Sequence, residues 1–122
     1  MFFDYDSYSY YVRPGFTDAR KSFRTLSCIV DEEMNLDSRS KAMFIFCNKA
    51  KNTLKILVWD NGYWVLTKRL EKGTFSWPSN NNEAISITKD DIKRIIQGED
   101  IFRRLPQMAR KIEASGIVVG RI

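Results

Sequence analysis

The chain has no histidine, and only two of its 122 residues are cysteines. Without histidine, Ser-His-Asp and Cys-His catalysis are excluded, together with the usual general base near neutral pH. Cys28 and Cys47 have no neighbouring cysteine, and two thiolates alone cannot complete a tetrahedral zinc site. We therefore expect both thiols to be small buried apolar groups. We expect no cofactor and no metal.

Long apolar stretches are also missing. No run reaches the roughly 18 apolar residues of a membrane-spanning helix, and the N-terminus lacks the basic start and apolar segment of a secretory signal. With 43% apolar and 29% charged residues, the composition is that of an ordinary globular protein. These features predict a cytoplasmic protein with one domain over residues 1–100.

Positive charge is concentrated at the C-terminal end. The net charge of the chain is +5, and residues 101–122 contain five basic residues against a single acid, Glu113. Pro106 marks a potential helix start in this segment. We interpret 101–122 as a basic C-terminal extension, which is typical either of contact with phosphate backbones or of a solvated terminus.

The richest segment is 54–78, which contains all three tryptophans. Asn61-Gly62 lies between two apolar runs, a pattern that predicts a β-hairpin closed by a type I′ turn. The segment Phe75–Pro78 is expected to continue this meander until Pro78 ends it. An earlier strand over 43–46 is expected to pair antiparallel with the first strand of the hairpin. The alternating residues 7–10 predict a further strand at an edge of the sheet.

Two helices are predicted beside these strands. Thr17 has the residue type and position of a helix N-cap, and the spacing of Phe23, Leu26, Val30 and Met34 predicts a helix over 18–33. Thr88 followed by Asp91 resembles a capping box, and predicts a second helix over 88–97. Gly98 would end it. The fold class predicted is α+β, with a mainly antiparallel sheet of five or six strands and two packed helices.

Several motifs together resemble one family. The run Gly15–Phe23 (GFTDARKSF) is similar to a Gly-x-Thr-Asp-Met-Arg-Lys-Gly-Phe signature, and the most specific match is Lys68–Pro78 (KRLEKGTFSWP). The segments 44–49, 54–60 and 87–98 resemble further blocks in the same order. The chain thus resembles the TnpB-type accessory proteins of the insertion-sequence sixty-six family, which are encoded beside a separate DDE transposase and are distinct from the RNA-guided nuclease TnpB. It departs from the pattern at Ala19, at Ser22 and after Gly98. The resemblance covers roughly residues 12–100 and implies participation in transposition, without an assigned activity.

Catalysis has little support in the residues. Metal-dependent strand transfer needs several carboxylates that converge on Mg²⁺. Asp18, Asp60 and Glu71 lie in the motifs, but a helix start, a turn and a neighbouring cation explain them equally. We therefore predict a protein that is not an enzyme, with no catalytic residues.

The hypothesis that the motifs favour is a DNA-binding accessory protein. Its candidate contacts to the DNA backbone are the basic residues of the first helix and of the end of the hairpin, namely Arg20, Lys21, Arg24, Lys68 and Arg69. Three of them, Arg20, Lys68 and Arg69, could instead be structural partners of Asp18, Asp60 and Glu71. The alternative function is a protein-interaction module that assembles or regulates the transposase, with Tyr63, Trp64 and Trp77 as anchors if they face outward. An aromatic that is buried instead belongs to the core.

Overall fold

The computed structural model describes residues 4–78, 84–99 and 101. In chain order, the elements are a 3-10 turn (Tyr5–Ser7), β1 (Ser9–Val12), α1 (Phe23–Cys28), a π-helical turn (Ile29–Glu33), β2 (Ala42–Cys47), β3 (Thr53–Trp59), β4 (Tyr63–Arg69), β5 (Ile85–Ile87) and α2 (Lys89–Ile96). The predicted α+β fold, with five strands and two helices, is confirmed. Apart from Ile101, the predicted C-terminal extension lies outside the described residues.

The strands form one sheet in the order β4-β3-β2-β1-β5. All neighbours are antiparallel except β1 and β2, which pair in parallel from Ser9 opposite Ala42 to Val12 opposite Ile45. The prediction that the N-terminal strand lies at an edge is wrong, because β5 returns along its other side. Within the described residues, β4 and β5 are the edges of the sheet.

Each face of the sheet carries one helical segment. On the face that we call the α1 face, Phe44, Phe46 and Leu57 pack against Leu26 and Val30. The opposite face, which we call the α2 face, contains the strand residues whose side chains point the other way. Ile92 and Ile95 of α2 pack on them. Because side chains alternate along a strand, this two-sided covering buries all six residues of β2.

The two hairpins predicted in the middle of the chain are present. β2 pairs with β3, and β3 pairs with β4 from Trp59 opposite Tyr63 to Thr53 opposite Arg69. The β3–β4 connection has three residues, 60–62, rather than the two central residues of a type I′ turn. Asn61 has the left-handed φ of 54° that its position in the motif suggested.

The first helix starts later than predicted. Thr17 does not cap it, because its hydroxyl accepts a hydrogen bond from the Arg13 guanidinium at 2.9 Å. The carboxylate of Asp18 accepts from the backbone N–H of Arg20 at 2.9 Å, a local bond that competes with helix formation. α1 therefore begins at Phe23, and Arg20 and Lys21 lie in the preceding loop rather than on the helix.

The second helix follows its prediction closely. The Thr88 hydroxyl accepts from the backbone N–H of Asp91, and the Asp91 carboxylate accepts from the backbone N–H of Thr88, each at 3.1 Å. This is a complete capping box. Gly98, with a φ of +89°, lies just beyond the helix end.

Candidate nucleic-acid interface

The loop that precedes α1 is held against the sheet by Trp77. The Trp77 indole N–H donates to the carbonyl oxygens of Arg13 at 3.0 Å and Gly15 at 2.9 Å. The Gly15 N–H donates to the Pro78 oxygen at 2.7 Å, and the Thr17 N–H donates to Cys47 at 2.8 Å. The start of the Gly15–Phe23 motif is thus fixed by the end of the Lys68–Pro78 motif.

This arrangement corrects the interpretation of Trp77 as a partner-binding anchor. Its side chain is only 6% exposed and belongs to the core on the α2 face. The 70–78 segment contains no strand, contrary to expectation, and Phe75 is buried beside Trp77. Because both rings are buried, this segment packs against the core of the α2 face instead of adding a strand to the sheet.

Asp18 and Arg20 form a two-point contact on the loop surface. The Arg20 guanidinium donates to both carboxylate oxygens of Asp18, and its shortest distance is 2.8 Å. The hydrogen bonds from Arg20 hold the pKa of the Asp18 carboxyl well below its usual range. The Arg20 side chain nevertheless remains 90% exposed. It can therefore contact another molecule while it is paired.

Lys55 connects this loop to the sheet. The ammonium group of Lys55, on the α1 face of β3, donates to the Lys21 carbonyl oxygen at 3.4 Å. Lys55 is directly opposite Thr67, so Arg69 is its diagonal neighbour on the same face of β4. Such neighbours lie about 7–8 Å apart, within reach of long side chains. The loop cations and Arg69 thereby share one side of the molecule.

A cleft extends the same surface towards the β2–β3 turn. It has a volume of about 520 Å³ and lies between loop residues 16–20 and turn residues 48–50. Lys49 and Arg20 line it from opposite sides. The turn is held by the Asn48 side chain, whose oxygen accepts from the backbone N–H groups of Asn52 and Thr53. Lys49 is therefore presented from a fixed turn.

Arg24 lies on the same side but nearer the other end of β4, because its guanidinium is 5.8 Å from the ring of Phe23, which stacks on Tyr63. We call the basic side chains of this side the α1-side basic cluster: Arg20, Lys21, Arg24, Lys49, Lys55 and Arg69. Of the six, only Arg20 has a carboxylate partner within the described part of the chain. Sequence reasoning missed Lys49 and Lys55. The alternation of Lys55 with apolar neighbours in β3 was the signal that could have placed it on a surface face of the sheet.

Lys68, the remaining one of the five predicted DNA contacts, lies elsewhere. Because side chains alternate along a strand, Lys68 and Arg69 point to opposite faces of β4. Lys68 faces α2, and its ammonium group donates to the Ile96 carbonyl at 2.8 Å. There it borders an apolar cavity of about 370 Å³ with Lys89 and Lys93. The structure thus separates two cations that are adjacent in sequence.

The remaining aromatic candidates do not form one patch. Tyr63 is half-buried on the α1 face, where it stacks on Phe23 at a centroid distance of 5.6 Å and its hydroxyl is 2.8 Å from that of Ser38. Trp64 is 43% exposed on the opposite side of β4, and its indole N–H donates to Asp60 at 3.3 Å. Of the three aromatic candidates, only Trp64 has an exposed ring.

Two of the three carboxylates considered for catalysis, Asp60 and Glu71, lie at opposite ends of β4. Asp60 lies in the turn before β4 and Glu71 lies after its end, so the seven residues of β4 hold them roughly 20 Å apart or more. In residues 4–78, 84–99 and 101, no three His, Cys, Asp or Glu side chains group where they could hold a metal ion. None of the helices described is long and apolar enough to cross a membrane.

Comparison with known proteins places this chain in a family. The model of the family described as "IS66 Orf2 like protein" matches residues 8–105. A protein described as "Uncharacterized protein y4hO", from Sinorhizobium fredii (strain NBRC 101917 / NGR234), is 32% identical over 92 residues, which cover 74% of this chain and 79% of the relative. No solved structure matches the chain. The chain belongs to the IS66 Orf2-like family of transposition-associated accessory proteins.

Proposed function

We propose that this accessory protein acts in transposition by binding the phosphate backbone of DNA through the α1-side basic cluster. The observation that carries the proposal is the contact between Lys55 and the Lys21 carbonyl. It unites cations from the loop and from the sheet on a single surface. The cleft between residues 16–20 and 48–50 adds Lys49 to the same surface.

The chemistry of the cluster suits phosphate. Arginine can hold a phosphate group with two parallel hydrogen bonds, whereas lysine provides a compact point charge. Arg24, Lys55 and Arg69 have no carboxylate partner within the described residues, so they do not have to give one up in order to bind. Contacts of this kind position a protein on DNA but do not read its sequence.

The proposed role is non-catalytic. Asp18 is engaged by Arg20, and Asp60 accepts from the Trp64 indole at the opposite end of the hairpin from Glu71. Three carboxylates held this way do not converge on one ion. A Mg²⁺- or Mn²⁺-dependent nicking assay tests this point. DNA cleavage that disappears in Asp60→Ala or Glu71→Ala would overturn it.

The DNA proposal is tested by fluorescence polarisation with two duplexes of equal length, the terminal repeat of the element and a scrambled sequence. We expect binding to weaken steeply as salt rises, and to weaken further in the Lys55→Gln variant. Tighter binding to the terminal repeat would add sequence preference to backbone contact. Absence of binding to either duplex at low salt would refute the proposal.

The alternative, a module that binds the transposase, has one supporting observation. The exposed ring of Trp64 is of the residue type that dominates protein interfaces. Co-purification with the transposase that is lost in Trp64→Ala, with folding unchanged, would favour this alternative.

A further inference from the structure

The outer edge of β4 carries backbone groups that no described residue bonds. Two hydrogen bonds at the ends of the β3–β4 ladder fix its phase: Asp60 N–H to Gly62 at 2.7 Å, and Leu70 N–H to Asn52 at 2.8 Å. Even-numbered residues of β4 therefore point their N–H and C=O groups towards β3. The odd-numbered residues Tyr63, Val65, Thr67 and Arg69 point theirs outward.

This edge is self-complementary in one antiparallel register. β4 spans Tyr63–Arg69, so its midpoint is Leu66. If Leu66 of two copies lie opposite each other, all residues of both strands are paired, and the outward groups pair as Tyr63 with Arg69 and Val65 with Thr67. Each such pair exchanges two hydrogen bonds, about eight in total for the four pairs. Sliding the strands by two residues would leave two residues of each copy without an opposite residue.

The side chains agree with this register. Basic residues at an edge usually protect it from pairing. In this case Lys68 falls opposite Trp64 of the second copy, on the α2 face, and Arg69 falls opposite Tyr63, on the α1 face. No two like charges are directly opposed. Cation–aromatic contacts across strands are favourable, and Trp64 offers a ring that is 43% exposed. The charges are thus compatible with this register, which also pairs the largest number of residues.

We propose that β4 is an interface with a second copy of this chain, which joins two five-stranded sheets into one through a two-fold axis at Leu66. The interaction is isologous, because each copy presents the same strand to the other. The axis is perpendicular to the sheet, since opposite residues of the register share the same face. It would place the two α1-side basic clusters on one side of the dimer. Only this last consequence rests on the proposed DNA function.

The first test is sedimentation velocity on the full chain, without DNA, from low to high micromolar concentration. We expect a concentration-dependent dimer. In Thr67→Pro the outward N–H is lost, while the bonds to β3 remain, and we expect the dissociation constant to rise about tenfold or more. Thr67→Ala is the matched control and should dimerise like the original chain. Circular dichroism checks that both variants fold.

The second test examines the register and does not depend on the proline variant. Cys28 is exposed, so the expectation that both thiols are buried is wrong for this residue. In a Cys28→Ser background, which removes this thiol, Leu66→Cys should form a disulfide-linked dimer on mild oxidation. The two Leu66 positions are separated by about 4.5 Å between Cα atoms in the register. Thr67→Cys should cross-link far less, because the two copies of position 67 are offset along the strands.

A chain that sediments as a monomer at every concentration overturns the proposal. Equal cross-linking at positions 66 and 67 overturns the register. Both outcomes are independent of DNA, so they leave the proposed function untouched. Conversely, a dimer that fails to bind DNA would support this interface and contradict the proposed function.

Discussion

Replacement of Trp77 by phenylalanine tests the structural role assigned to this ring. The indole N–H donates to two backbone oxygens, those of Arg13 and Gly15, from a position that is 6% exposed. Phenylalanine keeps most of the apolar ring but removes both hydrogen bonds. The loop that carries Arg20 and Lys21 would then be attached to the 70–78 segment only by the backbone bond between Gly15 and Pro78.

The expected loss of stability has two sources. Buried acceptors left without a donor cost about 1–3 kcal/mol, and the smaller ring leaves a cavity that costs about 1 kcal/mol more. We expect the free energy of unfolding to fall by about 2–4 kcal/mol. For a domain of this size, that corresponds to a melting temperature lower by roughly 10 °C.

Urea denaturation followed by circular dichroism measures the effect. Trp64→Phe is the control, because Trp64 is 43% exposed and surface substitutions usually change stability by less than about 0.5 kcal/mol. A Trp77→Phe variant as stable as Trp64→Phe would refute the assignment of Trp77 to the core. It would also remove the explanation for how the loop before α1 is positioned.

Two further predictions concern α2 and the buried thiol. Thr88→Ala removes the capping box and should lower the free energy of unfolding by about 1 kcal/mol. Thr74→Ala, in an exposed loop, is the control and should leave it unchanged. Equal urea midpoints for the two variants would contradict the role of the capping box. Burial raises the pKa of the Cys47 thiol to about 11. Between about pH 8.5 and 11, the unfolded chain therefore binds fewer protons than the folded chain, and the free energy of unfolding falls as pH rises. The loss reaches about 2–3 kcal/mol at pH 11. The same alkaline loss in Cys47→Ala, measured by urea titration at several pH values, would contradict that cause.

The sequence predicted those elements whose local signals agree with the tertiary structure. Thr88 and Asp91 cap a helix that is amphipathic, and Asn61-Gly62 lies between two runs of strand-forming residues. Here the turn or cap, the periodicity and the final packing all favour the same structure.

Predictions failed where distant contacts compete with local preference. Thr17 is a good capping residue, but its hydroxyl accepts from Arg13 and its N–H donates to Cys47, so the helix begins at Phe23, five residues later than predicted. The N-terminal strand becomes internal because β5, from residues 85–87, pairs along it. No local sequence pattern indicates which strands will be neighbours in the sheet.

The site was only partly predictable for a related reason. Lys68 and Arg69 are neighbours in sequence and were assigned together, but strand alternation sends them to opposite faces. Lys49 and Lys55 were overlooked because their proximity to the loop depends on how β3 packs beneath it. Sequence identified the basic motifs, and the fold decided which of them share a surface.

The most direct test of the proposed DNA interface compares Arg69→Gln with Lys68→Gln. The two substitutions remove one positive charge each from adjacent positions, but only Arg69 lies on the α1 face. The measurement is the slope of log affinity against log salt for a DNA duplex, roughly −3 to −5 for the original chain if three to five phosphates are contacted. We predict that Arg69→Gln makes this slope shallower by about 0.9 and that Lys68→Gln leaves it unchanged. Equal slopes for the two variants, or a change only in Lys68→Gln, would contradict the proposed interface.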